Sequence, residues 1–258
     1  MCKLKALIFD VDGTLADTEG DGHRVAFNQA FAAAGLDWQW PAQLYGELLA
    51  VAGGKERIRY FMDHYVPDFR PPGDEKEFIA DLHRDKTRRY AEMLESGAMP
   101  LRPGVRRLLT EARGAGLRLA IATTTSPENV SVLLHQCLDP QAEGWFDVIA
   151  AGDIVPAKKP APDIYRVALE QLGLKPQECL AFEDSENGLK SSSQAGITTL
   201  ITVNDYTRNH DFNGARLVVD HLGEADRPFQ VLAGDARGAS CVDVDLLRDL
   251  VQETCTGA

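Results

Sequence analysis

The sequence predicts an α/β fold in which a parallel sheet carries an inserted helical subdomain. Short apolar runs recur along the chain and alternate with segments of helical periodicity, which is typical of βαβ units. The first apolar run, Leu4–Phe9, leads directly into two aspartates, Asp10 and Asp12. Residues 18–97 then show helical patterns and no convincing strand. We therefore expect a sheet core that is interrupted after its first strand.

The apolar runs are predicted to be the strands of this core. An uninterrupted apolar run is typical of a strand that is buried on both faces. The runs are Leu4–Phe9, Leu117–Ala122, Phe146–Ala150, Cys179–Phe182, Thr198–Val203 and Leu217–Val219. Helical spacing of apolar residues predicts helices at Val105–Ala112 and Ile164–Leu172. From Gly223 the chain is predicted to be rich in loops through Gly234 and Gly238, followed by an amphipathic helix near Val242–Gln252.

The inserted segment is predicted to be a helical cap. A subdomain inserted after the first strand would lie above the strand ends, where it could exclude water and contact a substrate. The predicted domains are a core of residues 1–17 and 98–258 and a cap of residues 18–97. The helical patterns of the cap are His23–Ala34, Pro41–Val51, Glu56–His64 and Glu75–Leu94.

Charge and composition exclude several classes of protein. The 258 residues include 39 acidic and 27 basic side chains, a net charge of −12, which argues against general nucleic-acid binding. No apolar run reaches the length of a membrane span, and the first residues lack the pattern of a signal peptide. We expect a cytoplasmic monomer with no membrane or nucleic-acid partner. Five scattered cysteines are expected to be reduced thiols: Cys2, Cys137, Cys179, Cys241 and Cys255.

Polar side chains follow the ends of the first four predicted strands. Because parallel strands end at the same edge of a sheet, these side chains are expected to lie together. Neighbouring carboxylates repel unless a cation or a shared proton relieves them, so the pattern predicts a metal-dependent phosphoryl-transfer site. The residues are Asp10 and Asp12 after the first strand, Thr123 to Ser126 after the second, Lys159 after the third, and Glu183 and Asp184 after the fourth.

Each residue type has a role in such chemistry. A carboxylate can attack phosphorus and divide the reaction into two steps, and a second carboxyl can protonate the leaving oxygen. Mg²⁺ prefers oxygen ligands from one or two carboxylates, together with phosphate and water. A lysine and a hydroxyl can hold the transferring phosphoryl oxygens.

The ordered motifs resemble those of the haloacid-dehalogenase-like hydrolase superfamily. They are Asp10-Val11-Asp12-Gly13-Thr14-Leu15, Thr123, Lys159-Pro160 and Glu183-Asp184. The resemblance implies a Rossmann-like parallel-sheet core with an inserted all-helical cap, an aspartyl-phosphate intermediate and Mg²⁺. By position it makes Asp10 the nucleophile and Asp12 the general acid and base, with Thr123 and Lys159 on the phosphoryl group. It places Mg²⁺ on Asp10, the Asp12 carbonyl and Asp184, with Glu183 in a supporting position.

Four further segments are Gly53–Arg57, His83–Lys86, Thr123–Asn129 and Asp205–Arg208. They resemble the CbbY-like branch of this superfamily, and the resemblance runs over nearly the whole chain. In that branch the substrate is xylulose 1,5-bisphosphate, which is hydrolysed to xylulose 5-phosphate and phosphate. A bisphosphate needs a second anion site, for which Lys55, Arg57, Arg84 and Lys86 are candidates. The substrate-binding residues implied by the resemblance are Glu19, Gly53, Gly54, Lys55, Glu56, Arg57, His83, Arg84, Asp85, Lys86, Thr123, Thr124, Thr125, Ser126 and Asn129.

Some alternatives stay open on the sequence. The same core chemistry suits a β-phosphoglucomutase-like phosphomutase or another phosphosugar or phosphoglycolate phosphatase. A non-catalytic sugar-phosphate sensor is the alternative of a different class. The sequence also departs from the branch between Glu19 and His23, where Gly20-Asp21-Gly22 is one residue longer than the branch pattern.

Overall fold

A computed structural model describes residues 3–96 and 99–256, and the chain forms two compact units. One unit is Met1–Asp17 with Pro100–Ala258, and the other is Thr18–Met99. The second junction therefore lies between Met99 and Pro100 rather than at the predicted position between residues 97 and 98, which are outside the described residues. Cys2 and the side chain of Cys255 are also outside the description.

The first unit is built on one twisted sheet, which confirms the predicted α/β fold class. In the described residues the strand order is β3-β2-β1-β4-β5-β6-β7, with β1 to β6 parallel. Strand β1 lies between β2 and β4, and all four of its residues are buried. The strands are β1 (Ala6–Phe9), β2 (Arg118–Thr123), β3 (Val148–Ala151), β4 (Cys179–Glu183), β5 (Thr198–Thr202), β6 (Leu217–Val219) and β7 (Val231–Gly234).

The prediction of a loop-rich segment through Gly234 was wrong in part, because Val231–Gly234 is a strand. It pairs antiparallel with β6, with Val218 opposite Ala233. All four residues of β7 are exposed, including Val231 at 41% and Leu232 at 50%. A strand without a buried face needs no alternation of apolar and polar residues, so the sequence pattern does not predict it. It is recognised from its backbone pairing at the sheet edge.

The second unit is helical and has an aromatic core. Trp40 is fully buried, and its ring lies 4.7 Å from that of Phe27 and 4.8 Å from that of Phe31. Asp74 caps the longest helix of this unit by accepting a hydrogen bond from the Glu77 N–H. The helices are α1 (Arg24–Ala33), α2 (Ala42–Leu48), α3 (Gly54–Tyr65) and α4 (Glu75–Glu95).

The segment before α1 absorbs the extra residue noted between Glu19 and His23. Glu19–His23 forms one turn of π-helix, in which the His23 N–H donates to the Thr18 carbonyl at 2.7 Å. A π-turn closes over five residues where an α-turn closes over four. The longer sequence is therefore accommodated without interrupting the run into α1.

Helices of the first unit pack on the sheet and follow its strands. On one face, Tyr165, Ala168 and Leu172 share an apolar cluster with strand residues such as Ile8 and Ala181. Within the described chain, no helix combines the length and apolar character needed to cross a bilayer. The helices are α5 (Val105–Gly114), α6 (Pro127–Leu133), α7 (Asp163–Leu172), α8 (Glu186–Gln194) and α9 (Val244–Thr256), and shorter helical turns are Leu134–Leu138, Ala142–Trp145 and Pro176–Glu178.

Candidate active site

A buried lysine joins two of the strand ends. The Lys159 ammonium donates to Asp10 Oδ1 and to Glu183 Oε1, each at 2.6 Å. Asp10 directly follows β1, and its N–H donates to the Phe182 carbonyl of β4 at 3.0 Å. Because β1 and β4 are parallel and in register at Phe9 and Phe182, Asp10 and Glu183 emerge side by side. The strand topology therefore brings together three residues that are far apart in the sequence.

Tyr165 is a member of this cluster that the sequence analysis missed. Its hydroxyl donates to Glu183 Oε1 at 2.6 Å, and its side chain is fully buried. Tyr165 lies on α7, six positions after Lys159 and within an apolar helical stripe. The available signal was its hydroxyl, because a buried tyrosine hydroxyl usually has a hydrogen-bond partner. Nothing in the sequence identifies that partner as Glu183.

Three carboxylates converge beside Lys159 in a way that suits a hard cation. Asp10, Glu183 and Asp184 are buried and each present an oxygen within 4.8 Å of the others. Among the described residues, no donor reaches Glu183 Oε2, although this atom is buried. Asp184 Oδ2 accepts from Asn204 Nδ2 at 2.7 Å. An all-oxygen donor set with an unsatisfied carboxylate oxygen fits Mg²⁺.

Gly13 makes room for this cluster. A Cβ at this position would lie 2.3 Å from Asp184 Oδ2 and 2.7 Å from Asn204 Nδ2. Its φ of +83° is also one that residues with side chains rarely adopt. The glycine after Asp12 is therefore required both by the turn and by the close approach of Asp184.

The electrostatics of the cluster show a shortage of positive charge. Burial raises the pKa of Asp10 to about 7; Lys159 opposes this shift, and the charges of Glu183 and Asp12 add to it. Burial, together with Asp10 and Glu183, raises the pKa of Asp184 well above its usual value. Burial alone would lower the pKa of Lys159, but Asp10 and Glu183 outweigh it and raise that pKa. A divalent cation would relieve the remaining repulsion.

The predicted residues that follow β2 have different surroundings from one another. The Thr125 hydroxyl donates to Asp12 Oδ2, so Thr125 orients the second aspartate. The buried Thr123 hydroxyl accepts from the Thr125 N–H at 3.2 Å, and Thr124 is half-buried. Ser126 caps α6 by accepting from the Asn129 N–H. Asn129 is buried, and within the described chain its Oδ1 has no hydrogen-bond partner.

Arg57 in the helical unit is directed into the interior of that unit. Its Nη1 donates to the Tyr45 hydroxyl at 3.1 Å, and its other nitrogens donate to the carbonyls of Leu48 and Val51. The Tyr45 hydroxyl in turn donates to Glu19 Oε2 at 2.5 Å. This network ties α2, α3 and the π-turn together through the guanidinium of Arg57.

Two predicted residues of α4 lie on its solvent face. The Arg84 side chain is 76% exposed and pairs with Asp81 at 2.8 Å. Asp85 pairs with Arg88 and Arg89 on the same helix, which lowers its pKa, although partial burial opposes this. These contacts are typical of solvated helix charges.

Lys86 and His83, on another side of α4, are packed inside the unit. Lys86 Nζ lies 2.7 Å from His23 Nδ1, and both side chains are buried. The His83 ring packs against the start of α3, where a Cβ on Gly54 would come within 2.6 Å of it. Gly53, the residue directly before α3, has a φ of +92°. Lys55 is half-buried and Glu56 exposed.

Comparison with known proteins identifies the family. A family model described as haloacid dehalogenase-like hydrolase matches residues 4–196, which is more than half of the chain and includes both carboxylate pairs. The chain belongs to the haloacid dehalogenase-like hydrolase family. It is therefore a hydrolase, and the resemblance inferred from the ordered motifs is confirmed.

Similar proteins place this haloacid dehalogenase-like hydrolase near the CbbY proteins. Protein CbbY of Cupriavidus necator is 50% identical over 226 residues, which cover 88% of this chain and 89% of that protein. A crystal structure of a CbbY mutant from Rhodobacter sphaeroides with xylulose 1,5-bisphosphate is 46% identical with a TM-score of 0.78, covering 84% of this chain and 94% of that one. A phosphorylated carbohydrates phosphatase of Thermotoga maritima is 30% identical, covering 78% of this chain and 85% of that protein.

Replacing Gly188 by alanine should disturb this hydrolase site. Gly188 lies in α8, and a Cβ there would lie 1.8 Å from Glu183 Oε2. Because Glu183 is held by Lys159 and Tyr165, it cannot move aside easily. We expect Gly188→Ala to lower the free energy of unfolding by about 1–3 kcal/mol, measured by urea denaturation.

Gly114→Ala is the matched control, because Gly114 ends helix α5 and a Cβ there meets nothing within 4 Å. A helical alanine should leave the stability unchanged or raise it by up to about 1 kcal/mol. Equal stability of the Gly188→Ala variant and the wild type would contradict the described packing of Glu183.

Proposed function

We propose that this chain is an Mg²⁺-dependent sugar-bisphosphate phosphatase whose substrate is xylulose 1,5-bisphosphate. The general activity rests on the family and on similar proteins: the chain is a phosphatase of the haloacid dehalogenase-like type that acts on sugar phosphates. The observation that carries the proposal is the buried Asp10–Lys159–Glu183 cluster with Asp184 beside it. It combines a nucleophile, a phosphoryl-binding cation and a cation-binding set of oxygens.

The reaction that we propose has two steps. In the first, an Asp10 carboxylate oxygen forms a bond to phosphorus while the bond to the sugar oxygen breaks, and Asp12 gives its proton to that oxygen. In the second, water attacks the phosphorus of the aspartyl phosphate, Asp12 accepts its proton, and phosphate leaves with Asp10 restored. The Thr125 hydroxyl orients Asp12 for both proton transfers.

The remaining residues of the cluster support these steps. Lys159 neutralises the transferring phosphoryl oxygens, Glu183 accepts from Lys159, and Tyr165 holds Glu183 by donating to it. Asp10, Asp184 and the Asp12 main-chain carbonyl would hold Mg²⁺. When bound, Mg²⁺ would reduce the repulsion between an anionic nucleophile and an anionic substrate.

The choice of a pentulose bisphosphate rests on similarity and on the distribution of cations. The Rhodobacter sphaeroides relative, 46% identical, has been crystallised with xylulose 1,5-bisphosphate. A second phosphate needs a cation other than Lys159. The candidates for this cation are those taken from the sequence: Lys55, Arg57, Arg84 and Lys86.

Asp10→Asn should abolish turnover without unfolding the protein. An amide cannot attack phosphorus, while a neutral group of the same shape preserves packing beside Lys159. We expect phosphate release to fall by at least about 10³-fold, with an unchanged or higher melting temperature. Asp245→Asn, on the exposed face of α9, is the control and should retain full activity. Residual activity above a few per cent would remove Asp10 from the role of nucleophile.

Mg²⁺ binding to the substrate-free protein should strengthen as the pH rises from 6 to 8. The pKa of Asp10 is raised to about 7, so below this pH a proton competes with the metal for the carboxylate. We expect the affinity to rise by up to about tenfold per pH unit below pH 7 and to level off above pH 8. Calorimetric titrations in buffers of different ionisation enthalpy should also show proton release. A pH-independent affinity would argue against Asp10 as a ligand.

Phosphate release from four compounds tests the substrate. We expect the fastest Mg²⁺-dependent release from xylulose 1,5-bisphosphate, ahead of ribulose 1,5-bisphosphate, β-glucose 1-phosphate and phosphoglycolate. Preference for another compound would keep the core chemistry and overturn the substrate assignment. If none releases phosphate, conversion of β-glucose 1-phosphate in the presence of a sugar bisphosphate would favour a phosphomutase.

A further inference from the structure

Arg102 is a buried arginine that the proposed reaction does not use. It lies where the chain re-enters the first unit, next to an isolated β-bridge between Ala16 and Leu101. Its guanidinium contacts three separate segments of this unit, which follow β1, β5 and β6. Nη1 donates to the carbonyls of Gly13 and Thr202 and to Thr202 Oγ1, Nη2 donates to the carbonyls of Val203 (2.6 Å) and Asp220 (2.7 Å), and Nε lies 3.3 Å from Asp17 Oδ1.

The contact with Gly13 completes the restraint of the loop after β1. The Gly13 N–H donates to the Ala16 carbonyl at 2.8 Å, and the Gly13 carbonyl accepts from Arg102. The Arg102 N–H also donates to the Leu15 carbonyl at 2.9 Å. Both peptide groups of Gly13 are thus held. The peptide group that contains the Asp12 carbonyl is held through the Gly13 N–H, and Arg102 holds the next peptide group along the chain.

We propose that Arg102 is a positioning residue that fixes the direction of the Asp12 carbonyl before the metal binds. This inference rests on the proposed Mg²⁺ site, in which that carbonyl is a ligand. Gly13 has no side chain and adopts a positive φ, so its own conformation restrains the loop weakly. The N–H groups of Thr14, Leu15 and Ala16 donate to the Val11 carbonyl within the loop. A guanidinium with several fixed donors adds to this restraint, because its planar fork holds a rigid set of acceptors. Outer contacts of this kind orient metal ligands.

Arg107 provides the matched control. It is a half-buried arginine of the same unit, and its nitrogens donate to the carbonyls of Leu222, Gly223 and Val242. Both arginines therefore join backbone segments by hydrogen bonds to carbonyls. Of the two, Arg102 donates to a carbonyl of the loop that carries Asp12. Loss of stability should therefore appear in variants of both arginines, whereas loss of Mg²⁺ affinity should appear only in variants of Arg102.

The test compares Arg102→Lys and Arg107→Lys in the full-length protein. Lysine keeps the positive charge but lacks the planar set of N–H donors of a guanidinium group. Calorimetric titration with Mg²⁺, without substrate, should show binding about tenfold weaker in Arg102→Lys and unchanged within twofold in Arg107→Lys. Saturating Mg²⁺ should restore most of the kcat of Arg102→Lys, because the reacting groups are intact. A lower folded fraction alone would reduce kcat and leave the Mg²⁺ affinity unchanged.

Hydrogen exchange supplies a measurement that does not depend on a folded variant. In metal-free wild type, amides of residues 12–16 should already be protected, because they bond within the loop and Arg102 fixes the Gly13 carbonyl before the metal binds. Free exchange in this segment that slows only when Mg²⁺ is added would overturn the proposal. Wild-type Mg²⁺ affinity in Arg102→Lys, or equal weakening in Arg107→Lys, would overturn it as well.

Failure of the proposed function has a different signature. If wild type binds no Mg²⁺, the metal assignment fails and the positioning of a metal ligand fails with it. Protection of residues 12–16 in metal-free wild type and its loss in Arg102→Lys would then show that Arg102 orders the loop for another purpose. Metal binding by wild type with an unprotected loop would contradict the role of Arg102 alone.

Discussion

The central constraint on this structure is one buried ammonium group that faces an excess of carboxylates. Lys159 pairs with Asp10 and Glu183, while Asp184 and Asp12 add further negative charge to the same region. Buried charges are tolerated when they are paired and hydrogen-bonded, and here the pairing is incomplete. The raised pKa values of Asp10 and Asp184 express that imbalance. Several neighbouring features follow from holding these groups together: the absence of side chains at Gly13 and Gly188 and the hydroxyl of Tyr165.

The position of this cluster was predictable because strand topology fixes it. An apolar run that ends in Asp10 and another that ends in Glu183 need only be parallel neighbours for their carboxylates to meet. The sequence contains no such rule for side chains that approach from helices and linkers. Tyr165 lies within an apolar helical stripe, and Arg102 reaches Gly13 from 89 residues away. Such contacts depend on the packing of α7 and of the chain after the cap, which periodicity does not specify.

In the helical unit the existence of helices was easier to predict than the direction of their side chains. His83, Lys86 and Tyr90 are spaced so that they share one face of α4, and Lys86 and Tyr90 are buried beside His23. Arg57 and Arg84 carry the same charge as Lys86, yet one supports the interior and the other is solvated. Charge alone does not separate these outcomes, because they depend on which acceptors the neighbouring helices present. The extra residue near Gly20 was visible in the sequence, whereas its accommodation in a π-turn required the backbone.

Because the negative charges around Lys159 are not fully paired, hydrogen bonds are needed to keep the surrounding backbone in place. A cluster of like charges tends to spread, and a loop containing Gly13 offers little resistance by itself. Hydrogen bonds to the Gly13 peptide groups, and from Asn204 to Asp184, oppose that spreading. The free energy of folding therefore holds together groups that would separate in isolation. Preorganisation of this kind reduces the rearrangement needed during a reaction, in exchange for some stability of the metal-free protein.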